Sequence, residues 1–199
     1  SEFYSDKEIK VITPNDAHYF FAYYDMRATG KKGNHLTHRV QFIDRLPTAD
    51  DVAEIGYLKD GKFHKIAETT AWNFQQGAML QWNPLASEDE VIYNSLGDGD
   101  YNATILNIHT GKKRFLDRPI ANVSPKGDYA LSINMSRLYD FRPGYGYAEY
   151  GDPFYWKNHS AGDGIFLTDM RTGKSRLIIS MEQIWEFSKD YFGGKDEKL

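Results

Sequence analysis

Residues Trp72–Asn94 read WNFQQGAMLQWNPLASEDEVIYN. An apolar run over Met79–Trp82 meets a turn at Asn83-Pro84, then an acidic loop, then a second apolar run over Val91–Tyr93. Two short strands joined by a polar turn account for that order. Gln75 and Gln76 stand just ahead of the first strand, and two large amides are costly to bury unless partners satisfy them. The head of this hairpin is therefore the first place to look for chemistry.

The same grammar recurs on both sides. Upstream, Ala53–Leu58 and Phe63–Ala67 flank Lys59-Asp60-Gly61-Lys62, and an Asp-Gly between short apolar runs is a strong hairpin signal. Before them lie the aromatic segment His18–Tyr24 and Leu36–Phe42. Lys7–Thr13 reads as a lone strand. Downstream, Thr104–Ile108 and Arg114–Leu116 enclose His109-Thr110-Gly111-Lys112, and Ile120–Val123 and Tyr129–Ile133 enclose Ser124-Pro125-Lys126-Gly127-Asp128. Gly164–Thr168 and Ser175–Ile179 enclose Arg171-Thr172-Gly173-Lys174. ILNIHTGKKRFL thus aligns over IFLTDMRTGKSRLI and, more faintly, over IGYLKDGKFHKIA.

Four-stranded units repeating every 40 to 60 residues or so are the signature of propeller blades. The reading predicts an all-β fold, a partial β-propeller of about three four-stranded antiparallel blades, half of a six- or seven-bladed ring. Blade one covers about 15–68, blade two about 72–117, and blade three about 118–180 with an insertion at 134–163. A sandwich of unrelated hairpins is the alternative, but the Gly-Lys turn falls at the same place in each unit. A short C-terminal helix over 181–191 follows from Ile184, Trp185, Phe187 and Tyr191 at helical spacing, with Ser180 as N-cap and Gly193-Gly194 as the stop.

Twenty-eight acidic against 24 basic residues leave a formal charge of -4, which gives no electrostatic footprint for nucleic acid. Cysteine is absent, so disulfides and thiolate metal sites are excluded. No apolar run is long enough to span a bilayer as a helix, and SEFYSDKEIK lacks a signal-peptide core, which leaves cytoplasm and periplasm open.

The Ser-Pro-Lys-Gly-Asp turn and the strand-Thr-Gly-Lys-strand repeats resemble those of the TolB-like propeller superfamily, which includes oligogalacturonate lyases. HYFFAYYD, HRVQFIDRLPTADDVAEIG, WNFQQGAMLQW and RPGYGYAEYGDPF are similar to the first half of a group of bacterial propeller proteins, over His18 to about Ile184. The resemblance implies a chain about twice this length whose further blades close the ring. It also implies carbohydrate handling, as recognition or lyase-type breakdown of uronic-acid oligosaccharides, or else a non-catalytic scaffold for a protein partner. The lyases' divalent metal, held by His and Gln, would fall in later blades, so no metal ligand maps onto this chain. Three blades alone would leave flanks open, and self-association or a missing C-terminal half is the expected partner.

By position in such blades, the candidates are His18, Tyr19, Tyr23 and Asp25 in unit one and Gln75, Gln76 and Gln81 in unit two. Unit three adds Arg137, Arg142, Tyr145 and Tyr147, and the loop after the second strand adds His38, Arg39, Asp44 and Arg45. His38 and Arg39 are the catalytic pair, as base and charge neutraliser toward a uronate. His18, Tyr23, Gln75, Gln76, Arg142 and Tyr145 are the substrate-binding set. Each has a structural alternative: His38 as a hydrogen-bonded strand residue, Arg39 and Arg45 as partners of Asp44, His18 in the core, and the tyrosines as a lid. His35, His64, His109 and His159 are expected in solvent, and His35-x-x-His38 alone is weak evidence for metal.

Overall fold

The computed structural model describes residues 12–21, 26–41, 43–86 and 88–199. Among these, the first sheet is β1 (His18–Phe20), β2 (His35–Val40), β3 (Ala53–Lys59) and β4 (Lys62–Thr69). The second is β5 (Gln81–Trp82), β6 (Glu90–Leu96), β7 (Tyr101–Asn107) and β8 (Lys113–Leu116), and the third is β9 (Asn122–Val123), β10 (Tyr129–Ser132), β11 (Gly164–Asp169) and β12 (Ser175–Ser180). In each sheet consecutive strands are antiparallel neighbours. Two α-helices complete the described chain, α1 (Met135–Phe141), inside the long β10–β11 connection, and α2 (Met181–Ser188), which runs into a 3-10 turn over Lys189–Phe192, and a further 3-10 turn over Pro84–Ala86 joins β5 to β6.

Side chains along a strand alternate between faces, and β6 uses both faces for burial. Val91 and Tyr93 join Leu36, Ile55, Trp72 and Trp82 in a core between the first and second sheets. Ile92, one residue out of phase, joins Ile105, Leu116, Ile120 and Met170 in a separate core between the second and third. A middle sheet covered on both sides, with a core to each neighbour, is the layering of a propeller and not of a two-sheet sandwich. The fold is thus all-β, a partial propeller of three antiparallel sheets. On the third sheet the face away from this core is half open, with Tyr129, Leu131 and Ile179 exposed.

The repeated turns share a physical cause. The Asn107 side chain accepts from His109 and Thr110 N–H at 2.9 and 3.0 Å, and Asp169 accepts from Arg171 and Thr172 N–H at 2.9 and 3.3 Å. Gly111 and Gly173 close both turns at φ 74° and 78°, where a side chain is strained. The β3–β4 turn is a different device, with Asp60 and Gly61 both left-handed at φ 52° and 71°, as a two-residue hairpin requires.

Several elements differ from the sequence expectation. β1 ends at Phe20, and Tyr23, Asp25 and Phe42 lie outside the described residues, as does most of the Lys7–Thr13 segment. β5 has two residues because Met79 takes a left-handed φ of 56°, which breaks the extended run. Ser180 caps α2 in a reciprocal capping box with Gln183. Only Trp185 of that helix is buried, while Phe187 and Tyr191 are 97% and 96% exposed. No helix among the described residues is long and apolar enough to cross a membrane.

Candidate functional site

Because the chain runs up and down through each sheet, the connections 41–52, 70–80, 97–100, 117–121 and 133–163 all emerge at one end. Most of the candidate residues sit at this mouth. At its centre is the loop Asn73–Gly77. Its ends bridge each other through Asn73 N–H to Gly77 O at 3.2 Å and Gly77 N–H to Asn73 O at 2.8 Å, and the Asn73 carboxamide accepts from Gln76 N–H at 2.7 Å. The same carboxamide donates to Gly146 O at 3.1 Å, which ties the loop to the insertion beside Tyr145.

His38 lies beneath this loop, wholly buried, its ring stacked on Phe20 at 4.5 Å and 7°. Ala78 N–H donates to Nε2 at 3.0 Å, so Nε2 is unprotonated and Nδ1 carries the hydrogen that reaches Phe20 O at 3.1 Å. Burial pushes its pKa down to about 4, against a smaller opposite pull from the Phe20 carbonyl. This corrects the expected base: both ring nitrogens are engaged, and the ring holds the Gln loop in shape.

Arg39, next along β2, faces the other way. Its Nε donates to Glu54 at 3.1 Å, its guanidinium approaches Asp16 at 3.5 Å, and it lies 4.4 Å over the Phe63 ring. Neighbours on a strand point to opposite faces, so His38 and Arg39 lie on opposite sides of the first sheet. Arg45 pairs with Asp51 at 2.6 Å, with Asp44 adding only a weaker electrostatic pull on it.

His18 is exposed at the edge of the mouth, not in the core, with its ring 6.0 Å from Phe74 and 6.1 Å from Phe20. Gln75 is exposed and Gln76 half-buried, and neither side-chain amide has a protein hydrogen-bond partner among the described residues. Arg142, exposed, lies 4.8 Å over the Tyr145 ring. The structure therefore brings His18, Gln75, Gln76 and the Tyr145 segment around one loop, with His38 under it and Arg39 apart. Gln76 also lines a small cavity of about 210 Å³ with Gln81 and Asn122 from the innermost strands.

Two residues matter more than sequence reasoning allowed. Asn94 is fully buried and joins β6 to unit three: it accepts from Ile120 N–H at 2.8 Å and donates to Ile120 O at 2.9 Å and to the Tyr147 hydroxyl at 2.7 Å. Burial, the largest effect on it, raises the pKa of that hydroxyl. Arg137, also buried, knots the insertion through Asp152 at 2.9 Å and the carbonyls of Phe154, Lys157 and Asn158 at 3.1, 2.9 and 3.0 Å. A polar residue inside an apolar strand, as in IYNSL, was the available signal for Asn94.

His159 is not free in solvent. Its ring stacks on Trp185 at 4.7 Å, Nδ1 meets Glu182, and Nε2 meets Asp196 at 2.5 Å. These carboxylates, Glu182 first, raise its pKa against the opposing effect of burial. Among the described residues no group of three or more His, Asp and Glu side chains is arranged to hold a metal ion.

No family model matches this chain, and no curated protein matches it significantly. Among solved structures, it is similar to an uncharacterised protein of Listeria monocytogenes at 12% identity and a TM-score of 0.30, over 87% of this chain and 57% of the other. The chain thus spans little more than half the length of that protein.

Proposed function

We propose that this chain binds carbohydrate at the mouth of its partial propeller, with uronic-acid oligosaccharides as the ligand class. Gln75 and Gln76 meet sugar hydroxyls, and Arg142, set on Tyr145, offers its guanidinium to a sugar carboxylate. The observation that carries the reading is the pair of unpartnered amides on a loop whose own backbone is tied down at Asn73, Gly77 and Ala78. A loop backbone already held in place adds no ordering cost of its own, so only the two side chains must be ordered on binding. Recognition is favoured over lyase chemistry, since His38 has no open nitrogen with which to take a proton.

Titration calorimetry with oligogalacturonates tests this. Replacing both glutamines by alanine removes several neutral hydrogen bonds and should weaken binding by about 10- to 100-fold. Equal affinity for the double variant, or no binding by the parent chain, rejects the proposal. Ultraviolet absorbance from unsaturated products would restore the lyase reading. A second reading, a scaffold of the kind the repeats resemble, draws on the apolar outer face of the third sheet at Tyr129, Leu131 and Ile179. It predicts association through that face, which light scattering with Leu131→Lys would abolish.

A further inference from the structure

Trp156 is 92% exposed, whereas Trp72, Trp82 and Trp185 are buried. Indole carries a large apolar surface that folded proteins mostly cover, and slack backbone does not account for this exception. Trp156 stands in a turn over residues 152–157, closed by Tyr155 N–H to Asp152 O at 3.2 Å and Lys157 N–H to Phe154 O at 2.9 Å. The Asp152 carboxylate accepts from Phe154 N–H at 2.9 Å. The buried Arg137 guanidinium holds the same turn through Asp152 and the carbonyls of Phe154 and Lys157. The backbone under Trp156 is therefore fixed, and the ring is held out in water.

The Tyr155 ring meets the Trp156 ring edge-on at 4.8 Å and 88°. Lys198 Nζ lies 3.9 Å over the Tyr155 ring and 5.8 Å from the centre of the Phe141 ring. The segment that carries Lys198 is anchored on the insertion, by Leu199 N–H to Asn158 O at 2.7 Å and by Asn158 Nδ2 to Asp196 at 2.9 Å. With Lys157 exposed as the next residue, the turn presents a small aromatic patch with a cationic rim.

Size and rim together choose the ligand. Tyrosine and tryptophan side chains bury about 150–250 Å² each, so the two rings offer well under the roughly 800 Å² per partner of a standard protein interface. A bilayer surface calls for a longer apolar stripe than one turn provides. A pyranose ring fits: its C–H face is apolar and comparable in size to an indole, its hydroxyls stay in water, and a carboxylate on it can pair with the Lys198 ammonium.

We propose that Trp156, Tyr155 and Lys198 form a second sugar subsite, which stacks a uronic-acid residue on the indole face. This subsite rests on the carbohydrate reading and extends it from the Gln75–Gln76 loop to the insertion, which emerges at the same mouth.

Intrinsic fluorescence of the full chain, titrated with oligogalacturonates, tests it, because the other three tryptophans are buried. Saturation should shift the emission to the blue and protect it from acrylamide quenching. Trp156→Ala should abolish both responses and weaken binding by about 10-fold, and Trp156→Phe, which keeps an aromatic face, should recover part of the affinity. The ring is exposed, so its removal leaves the fold intact. Lys198→Gln should weaken oligogalacturonate binding and leave the affinity for the methyl-esterified oligomers unchanged. The Gln75→Ala/Gln76→Ala protein should still give the Trp156 response at higher ligand concentration. Binding by the parent chain without that response, or equal affinity for Trp156→Ala, overturns this subsite and leaves the Gln loop reading standing, whereas no binding by the parent overturns both. A response to phosphatidylcholine vesicles and none to sugar would assign the ring to a membrane surface and overturn it as well.

Discussion

Replacing Asn94 by alanine removes, from a site with no solvent exposure, a side chain that joins β6, the start of unit three and the insertion. Three partners lose their bond at once: Ile120 N–H, Ile120 O and the Tyr147 hydroxyl, with Ile120 fully buried and Tyr147 nearly so. A buried polar group left unmatched costs about 1–3 kcal/mol. Summed without relief the loss would reach several kcal/mol, and water entering the vacated space recovers part of it. The expected destabilisation is about 3–5 kcal/mol, a large fraction of the roughly 5–15 kcal/mol that holds a domain folded. Urea unfolding followed by tryptophan fluorescence reads it, since Trp72 and Trp82 are buried in the adjoining core. Asn122→Ala, an exposed position on β9, is the control and should stay within about 0.5 kcal/mol. A loss below about 1 kcal/mol for Asn94→Ala, with unchanged cooperativity, would refute the assignment of Asn94 as the bond between units two and three.

Gly77→Ala should be costly for a different reason: φ is +60° and an added Cβ would stand 2.3 Å from His38 Cε1 and 2.4 Å from Nε2. Strain and overpacking together predict about 2–5 kcal/mol and a distorted Gln loop, and unaltered stability would remove His38 from its supporting role. The pH dependence carries two opposed signs. His38 has a folded pKa depressed to about 4 from 6.5, so its contribution is present above about pH 6.5 and is lost as pH falls toward 4. Its size is on the order of 3 kcal/mol, and a denaturation midpoint flat across that window would refute the buried neutral ring. His159 has a raised folded pKa, so its hold on Glu182 and Asp196 is present below its unfolded pKa and is lost as pH rises through the folded value. Limited proteolysis near Asp196 should therefore quicken on the alkaline side, and an acid-side increase instead would contradict the pairing.

The repeats were legible because turn chemistry is local. Asn107 and Asp169 satisfy their own turns within six residues, so the sequence order carries the geometry. The alternation in Val91-Ile92-Tyr93 also carries its meaning within the strand, as one face per neighbouring sheet. Non-local pairings were hidden. Nothing near His38 in sequence announces Ala78, 40 residues on, as its hydrogen-bond donor, and an aromatic neighbourhood is compatible with either a core ring or a site. Arg39 was expected beside Asp44, yet β2 pairs with β3 in a register that sets Arg39 opposite Glu54. The insertion at 134–163 was legible as a break in the third unit, but not that Arg137 would gather four parts of it around one buried guanidinium.

The proposed carbohydrate site depends on an interior knot. The Gln loop is fixed from below by His38 and from the side by Gly146, and the next residue, Tyr147, is held by Asn94. Tyr147 packs edge-on against Tyr101 at 5.3 Å, and the Tyr101 hydroxyl accepts from Tyr150 N–H at 2.8 Å. A contiguous run of contacts thus leads from the Gln loop through the 145–150 segment to Tyr101 on β7. Sites keep their geometry when the shell behind them is packed and hydrogen-bonded, so loosening Tyr147 should degrade the whole Gln loop, whereas Gln75→Ala removes only its own contacts. Tyr147→Phe tests this: it keeps the ring packing, removes the hydroxyl from Asn94, and should weaken oligogalacturonate binding with Gln75 and Gln76 both in place, whereas unchanged affinity would show that the knot does not support the site.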